Sequence, residues 1–357
     1  MGDFNLNEIQ EPVKKKEAKK FSHIGMKSLL RLLAWISIVT LLMLSVNYIY
    51  TLKYRNREDV INIGYVDKES AVLFTIAEEM KFFESENSGL KVDLRRYGST
   101  KNLVKAWEKG RLDFIILEDI SIIVNYESLS NVNIVSSVAN FDTYKMVVDL
   151  KKSIIELNDL EGRTIGVTSD DEFDYWLDSG LQNAGVNRQK VTTEYINKKD
   201  FGKKLANGKV DAVFAKYPDT SYVQKYANSE IQTMALSLQY HKRAHALLIG
   251  SNAYVNEKNG DTNKLLMALS QAQDHYENNK DLVRDSLPTI WEEEKSYIDN
   301  VLEDYEYRLQ LNSEIFAQMD SQATWATAKG ILKDDPDLKS IVNYSLLRKV
   351  RPEDVTL

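Results

Sequence analysis

The chain has 357 residues, 43% hydrophobic and 28% charged, with 15 Gly, 5 Pro and no Cys, a globular composition without linker-like or low-complexity tracts. The missing cysteine excludes a disulfide framework, a thiolate zinc site and a Cys nucleophile. Charge is unevenly placed: up to Arg57 ten Lys and Arg face four Asp and Glu, and the remainder carries 36 against 49, net −13, which excludes nucleic acid as a partner because a polyanion needs a basic face.

Residues 1–26 read as a basic cytoplasmic tail. Its KKKEAKK run (14–20) suits a topology signal attracted to anionic headgroups, or the docking of a cytoplasmic partner. From Leu32 to Ile49 the sequence LLAWISIVTLLMLSVNYI has no charge; as a helix rising about 1.5 Å per residue it would span roughly 27 Å of hydrocarbon. Trp35, Tyr48 and Tyr50 stand where interfacial aromatics sit. A signal peptide would open on a short basic region and end in small residues, whereas this stretch follows a long tail and ends Ser45, Val46, Asn47, Tyr48. Residues 27–52 are therefore expected to be an uncleaved signal anchor, with the lipid bilayer as its partner. Lys14, Lys15, Lys16, Lys19, Lys20, Lys27 and Arg31 precede the span and only Lys53, Arg55 and Arg57 closely follow it. The expected location is the inner (cytoplasmic) membrane, single-pass, with the large C-terminal domain periplasmic or extracellular.

Beyond the anchor, VINIGYV (60–66) predicts a strand. A helix is expected over 69–86, with Leu73, Ile76, Ala77, Met80 and Phe83 on one face. KVDLRRYG (91–98), a helix over 100–109 and the apolar DFIILED (113–119) continue an alternation that implies a parallel sheet flanked by helices. The order then repeats in kind. VNIVSSVA (132–139), YKMVVDL (144–150), RTIGVTS (163–169), VTTEYI (191–196) and VDAVFAK (210–216) read as strands, with helices over 171–184 and 199–206. From about Asp261 the pattern is helical to the end, with Trp291 and Trp325 as packing anchors. The fold class is α/β: two parallel or mixed sheets flanked by helices and preceded by one transmembrane helix.

Four phrases, VINIGYV, LVKAWEKGRLDFIILED, NDLEGRTIGVTSDDEFDYWLDSGLQNAGV and KKLANGKVDAVFAKYPD, together resemble the type II periplasmic substrate-binding proteins. The branch in question takes nitrate, sulfonate and taurine and is related to thiamine-precursor binders. The resemblance covers about 60–335, including ATWATAKGIL, and DLEGRTIGV is its most specific piece. It implies two lobes, residues 58–145 plus 255–345 and residues 146–254, closing about a hinge near 145–150 and 250–255. It also implies capture of a small molecule for an ABC-type permease, with no enzymatic activity and no cofactor. The Cys-rich motif of the related thiamine-pyrimidine synthases is missing. In the repeated helix, Gly, Asp, strand phrase, Gly110 and Gly208 suit a left-handed helix end, and Asp113 and Asp211 open central strands, a structural role.

Ligands of open α/β sheets bind outside the carboxyl ends of the strands. That rule selects Tyr65, Asp67, Ser99, Thr100, Glu118, Asp119, Thr143, Tyr144, Thr168, Ser169, Asp170, Tyr217 and Asp219. Ser169 with Glu172 also fits a capping box, and Asp170 and Asp171 suit a helix start. An oxyanion site would use amides, hydroxyls and Arg or Lys, yet acids stand at 118, 119, 170, 171, 172 and 219. A cationic or neutral nitrogen-containing ligand is therefore favoured over an anion, with Arg95, Arg96 and Lys216 keeping the anion alternative open. His241 and His245 lie in HKRAHALLIGS, which reads as a strand, and no zincin spacing, nucleophile elbow, P-loop or dinucleotide fingerprint is present. No metal site is expected. The alternative to transport is a scaffold or sensor that keeps the fold and binds envelope proteins.

Overall fold

The structure, a computed structural model, describes residues 26–55, 60–129, 131–168, 171–216, 218–227, 233–237 and 243–356. They divide into two compact units between Asp59 and Val60.

The first unit contains α1 (Met26–Arg55), 30 residues. Its polar side chains are satisfied within the helix: the Ser37 hydroxyl donates to the Leu33 carbonyl at 2.8 Å and the Ser45 hydroxyl to that of Leu42 at 2.9 Å. Its apolar side chains are uncovered, with Trp35 68% and Met43 67% exposed. The side chains described on α1 run from Arg31 to Val46 with Leu32 left out, and over the described residues no helix is long and apolar enough to cross a membrane.

The second unit opens with β1 (Val60–Tyr65), α2 (Val72–Glu79), β2 (Lys91–Arg96), α3 (Thr100–Glu108), β3 (Phe114–Glu118), α4 (Asp119–Val124) and β4 (Val132–Phe141). Next come β5 (Tyr144–Asp149), β6 (Thr164–Val167), α5 (Asp171–Asn183), β7 (Thr192–Tyr195), α6 (Phe201–Ala206), β8 (Ala212–Lys216), α7 (Asp219–Ala227) and β9 (Thr233–Ser237). The chain ends with β10 (Ala244–Ser251), α8 (Asn252–Glu257), α9 (Asn259–Asn278), α10 (Lys280–Trp291), α11 (Lys295–Asp304), β11 (Tyr305–Glu306), β12 (Leu311–Asn312), α12 (Ser313–Ala328), α13 (Tyr344–Val350) and β13 (Val355–Thr356).

Two mixed sheets result, one six-stranded in the order β11-β4-β10-β3-β1-β2 and one five-stranded in the order β7-β6-β8-β5-β9. In each, three strands run parallel and a fourth joins antiparallel: β10 between β3 and β4, β5 between β8 and β9. The chain leaves the first sheet at Asp142 and Thr143 and returns within 238–243. β10, which falls within the expected 146–254 span, pairs with strands of the first sheet. It completes that sheet, pairing β3 along one edge and β4 along the other, and its seven residues from Ala244 to Gly250 are all buried.

Two expectations shift. The helix over 69–86 is a 3-10 turn (Lys68–Ala71) and then α2, ending where Lys81 turns to φ +56°. There Phe82 N–H bonds Ala77 at 2.8 Å and Lys81 N–H bonds Glu78 at 3.1 Å, a Schellman end made without glycine. The tail is not helical throughout. Tyr305 and Tyr307 are buried while Glu306 is exposed, a period-two pattern that lays β11 along the edge of β4.

The repeated Gly-x-x-Asp phrase has a mechanical basis. Gly110 and Gly208 end their helices at φ +61° and +71°, which an L side chain resists. Three residues later Asp113 accepts from the Asn62 backbone N–H at 2.8 Å and its side chain at 3.0 Å, and Asp211 accepts from the Thr164 N–H at 3.0 Å. Each carboxylate stitches the start of one parallel strand to its neighbour, β3 to β1 and β8 to β6. Because Asp113→Ala would strand a buried N–H, it should cost about 1–3 kcal/mol, read as a lower urea midpoint with an unchanged slope.

Candidate functional site

The carboxyl ends of β1, β3, β4 and β8 converge with the start of β5, and five side chains from these points meet. Lys216, the last residue of β8, places Nζ 2.7 Å from Asp67 Oδ2 and 3.0 Å from Glu118 Oε2. The same ammonium lies 4.7 Å from the ring centroid of Phe141 and 5.6 Å from that of Tyr144. Glu118, the last residue of β3, is only 7% exposed and draws its partners from the second sheet's side. Tyr144 Oη stands 2.9 and 3.0 Å from its two oxygens and Trp176 Nε1 donates to Oε1 at 2.9 Å. Tyr144 stacks on Trp176 at 5.4 Å and meets Phe173 edge-on at 5.4 Å, so this polar hub sits on an aromatic platform. Ser121 of α4 donates to Glu172 of α5 at 2.6 Å. Lys145 to Asp304 at 2.9 Å and Lys329 to Asp178 at 2.7 Å add further links between the elements of the two sheets.

Burial sets the protonation of this cluster. Desolvation, then the Glu118 charge, push Glu172 up to about 7, and the same two causes push Asp119 up to about 7. Glu69, behind Asp67, is likewise raised to about 7 by burial and then by Asp67. For Asp67 burial acts upward, but the Lys216 ammonium, with Lys198 and Arg96 behind it, holds the carboxyl below its ordinary range. Burial would lower Lys216, yet Asp67 and Glu118 keep it well above the usual ammonium value. The ammonium therefore stays charged.

Above the cluster opens a cleft of about 890 Å³, within the size range of small-molecule sites. Of the residues expected there, Asp67, Ser99, Thr100, Glu118, Tyr144 and Asp219 line it. Ser99 also caps α3, accepting from Asn102 N–H at 3.3 Å, and Asp219 pairs with Lys198 at 2.9 Å. Four others lie off the cleft. Asp119 is fully buried, bonding the Ile120 N–H at 2.8 Å and the Gln318 amide of α12, because as the first residue of α4 it turns under the sheet. Thr143 and Thr168 are buried with hydroxyls that have no partner among the described residues. Tyr65 packs half-buried against the core. Ser169, Asp170 and Tyr217 lie outside the described residues, as does the Ser169 half of the expected capping box.

Lys216, Phe141, Trp176 and Glu172 were not among the selected positions. Lys216 and Phe141 are the final residues of β8 and β4, the position that the selected Glu118 holds in β3, but the residues taken at the end of VDAVFAK were those after it. The signal for Lys216 was a single cation closing the apolar run VDAVFAK. Trp176 has none, since a Trp on the buried face of an amphipathic helix reads as core. His245 lies buried on β10, pushed down to about 4 by desolvation and Arg243. His241 is outside the described residues, and among those described no group of His, Cys, Asp and Glu could hold a metal ion.

The raised Glu172 has a sign that can be checked. Its folded value of about 7 exceeds the ordinary 4.5, so the folded chain binds more protons in that interval and this contribution to stability is lost as pH rises from about 4.5 to about 7. Glu172→Gln should melt above the wild type at pH 8 by on the order of 2–4 °C, about 1 kcal/mol, and close to it at pH 5. An equal gap at both pH values would contradict the assignment.

Residues 70–281 match the pattern of the family described as NMT1/THI5 like. No curated protein sequence matches the chain. Among solved structures, the periplasmic aliphatic sulphonate binding protein SsuA from Escherichia coli superposes with a TM-score of 0.68 at 16% identity, covering 80% of this chain and 97% of that one. The ligand-binding component of an ABC-type import system from Staphylococcus aureus, with zinc bound, gives 0.65 at 11% identity, covering 82% and 99%. The desulfurization enzyme DSZB gives 0.62 at 13% identity, covering 83% and 99%. These likenesses establish the fold, a two-sheet architecture used by binding proteins and by at least one enzyme. With more than half of its length matched by one family pattern, the chain belongs to the NMT1/THI5-like family.

Proposed function

We propose that the second unit is a solute-binding protein that captures a small molecule in the cleft between its two sheets, probing for it outside the cytoplasm and presenting it to an ABC-type permease. The observation that carries this reading is the cleft itself: about 890 Å³, at the carboxyl ends of the strands, lined by charged and aromatic side chains from both sheets. The printed descriptions of SsuA and of the Staphylococcus aureus import component, both binding proteins, support it by analogy of fold. In the same reading the ligand is cationic or a neutral nitrogen compound. Asp67, Glu118, Glu172 and Asp219 line the cleft beside Phe141, Tyr144 and Phe173, together with Arg96, Lys101, Lys105, Lys198 and Lys216; the buried end, where Asp67 and Glu118 already hold an ammonium against two rings, supports an ammonium or nitrogen heterocycle as ligand. The acid and aromatic chemistry supplies recognition only. The reading assigns no reaction to the cleft.

The anchor belongs to the proposal as well. The charge-free run Leu32–Ile49 lies inside the continuous helix α1, whose described apolar side chains are uncovered, and the basic excess before it places the N-terminus in the cytoplasm. A tethered binding protein serves a neighbouring permease without diffusing. A second reading, a scaffold or sensor for envelope proteins, is favoured by one feature: the contacts of Glu118 with Lys216, Tyr144 and Trp176 join the two sheets without any solute.

A panel of amines, pyrimidines and sulfonates screened by thermal melting of the detergent-solubilised full chain tests the first reading. A ligand at about 100 times its Kd should raise Tm by about 5–10 °C; a flat response across the panel would favour the scaffold. After cell fractionation the full chain should sediment with membranes, resist extraction by high salt and alkali, and be released by detergent. Its recovery in the salt wash would remove the anchor from the proposal.

A further inference from the structure

Lys216 occupies surroundings that would recognise an ammonium ion from any source. Its Nζ has two carboxylates within hydrogen-bond reach, Asp67 at 2.7 Å and Glu118 at 3.0 Å, and two ring faces, Phe141 at 4.7 Å and Tyr144 at 5.6 Å. The side chain is 13% exposed. Asp67, by contrast, is 41% exposed toward the cleft, so the cage has a buried wall, Glu118, and an accessible wall, Asp67.

The cage differs from an ordinary structural ion pair in three respects. Glu118 is fixed from behind by Tyr144 and Trp176, so its position does not depend on Lys216. The rings that face Nζ belong to the ends of β4 and the start of β5, the crossing between the sheets. And the lysine comes from the opposite sheet to both carboxylates, so that its ammonium bridges the cleft as a solute would.

We propose that Lys216 is a tethered occupant of a primary-ammonium site, and that the solute of this cleft is a linear primary amine which displaces Lys216 from Glu118 and Asp67. This rests on the reading of the cleft as a solute site and narrows its ligand class. The narrowing follows from the cage. Two carboxylates at hydrogen-bond distance require a cation with N–H groups to give, which a quaternary ammonium lacks. The ammonium now held there is borne by an unbranched alkyl chain, so a linear primary amine is the chemistry that the cage already accepts. Displacement also explains how a closed cleft responds to a ligand: the solute takes over a contact across the sheets that already exists, and its net affinity is reduced by the competition.

The test uses the full chain in detergent with n-butylammonium and tetramethylammonium chloride as probes, followed by melting temperature and Trp fluorescence. Lys216→Met should bind n-butylammonium at least about ten-fold tighter than the wild type, the equivalent of removing one competing charge-assisted contact, with no gain for tetramethylammonium. In the wild type, reductive methylation should label Lys216 at least about ten-fold more slowly than Lys333, which is 86% exposed, and brief labelling with formaldehyde in excess over the probe amine should show n-butylammonium raising the ratio of Lys216 to Lys333 labelling. This second measurement decides the matter if the variant does not fold. Labelling of Lys216 as fast as Lys333, or no gain in a folded Lys216→Met, overturns the tethered-occupant proposal. If other solutes of the wider panel still raise Tm, the solute-binding reading survives that failure; if none does, both fall together.

Discussion

The arrangement of the second unit depends on one buried carboxylate. Glu118 sits at the end of the central strand of the first sheet and takes its hydrogen bonds from Tyr144, Trp176 and Lys216, all carried by the second sheet and its helix. A carboxylate so enclosed is costly unless its lone pairs are filled, and leaving it with a partner missing costs more than the contact itself contributes. The two sheets are consequently held at one spacing, and the dimensions of the cleft above them follow. The aromatic platform of Tyr144, Trp176 and Phe173 keeps water from competing for those bonds.

Around this fixed centre the remaining acids share a small supply of cations. Lys216 serves Asp67 and Glu118 together, Lys198 serves Asp219, and Glu172 accepts from the Ser121 hydroxyl. Beside the Lys216 ammonium the Asp67 carboxyl is held below its ordinary range, whereas burial and the Glu118 charge push Glu172 up. The cleft thus combines acids shifted in opposite directions, according to the cations and the burial that surround each.

Most of the architecture was legible in the sequence because alternating apolar runs and helix-ending glycines report local geometry directly. The strands at 60–65, 114–118, 144–149 and 212–216 follow the apolar phrases closely. What the sequence did not disclose was the reciprocal placement of β10, since an apolar strand carries no mark of which sheet it joins. The site was legible in part for a similar reason. Asp67, Glu118 and Asp219 could be reached from the strand-end rule, but whether a residue at a strand end points into the cleft or beneath the sheet depends on one backbone turn, which separates Glu118 from its neighbour Asp119. Trp176 is placed by helix packing alone.

The exchange of strands between the sheets has a consequence for synthesis on the ribosome. β4 takes its strand partners β10 and β11, and single bridges to Gln310 and Val342, from later parts of the chain, so the first sheet stays incomplete until residues 244–251 have left the exit tunnel, after the second sheet's own strands have emerged. During that interval the facing edges of β3 and β4 are open, and β4 is buried along all ten of its residues in the finished protein. The nascent chain must therefore carry an unpaired, largely apolar strand until residues 244–251 emerge, which makes this segment the place where premature pairing with another chain would begin.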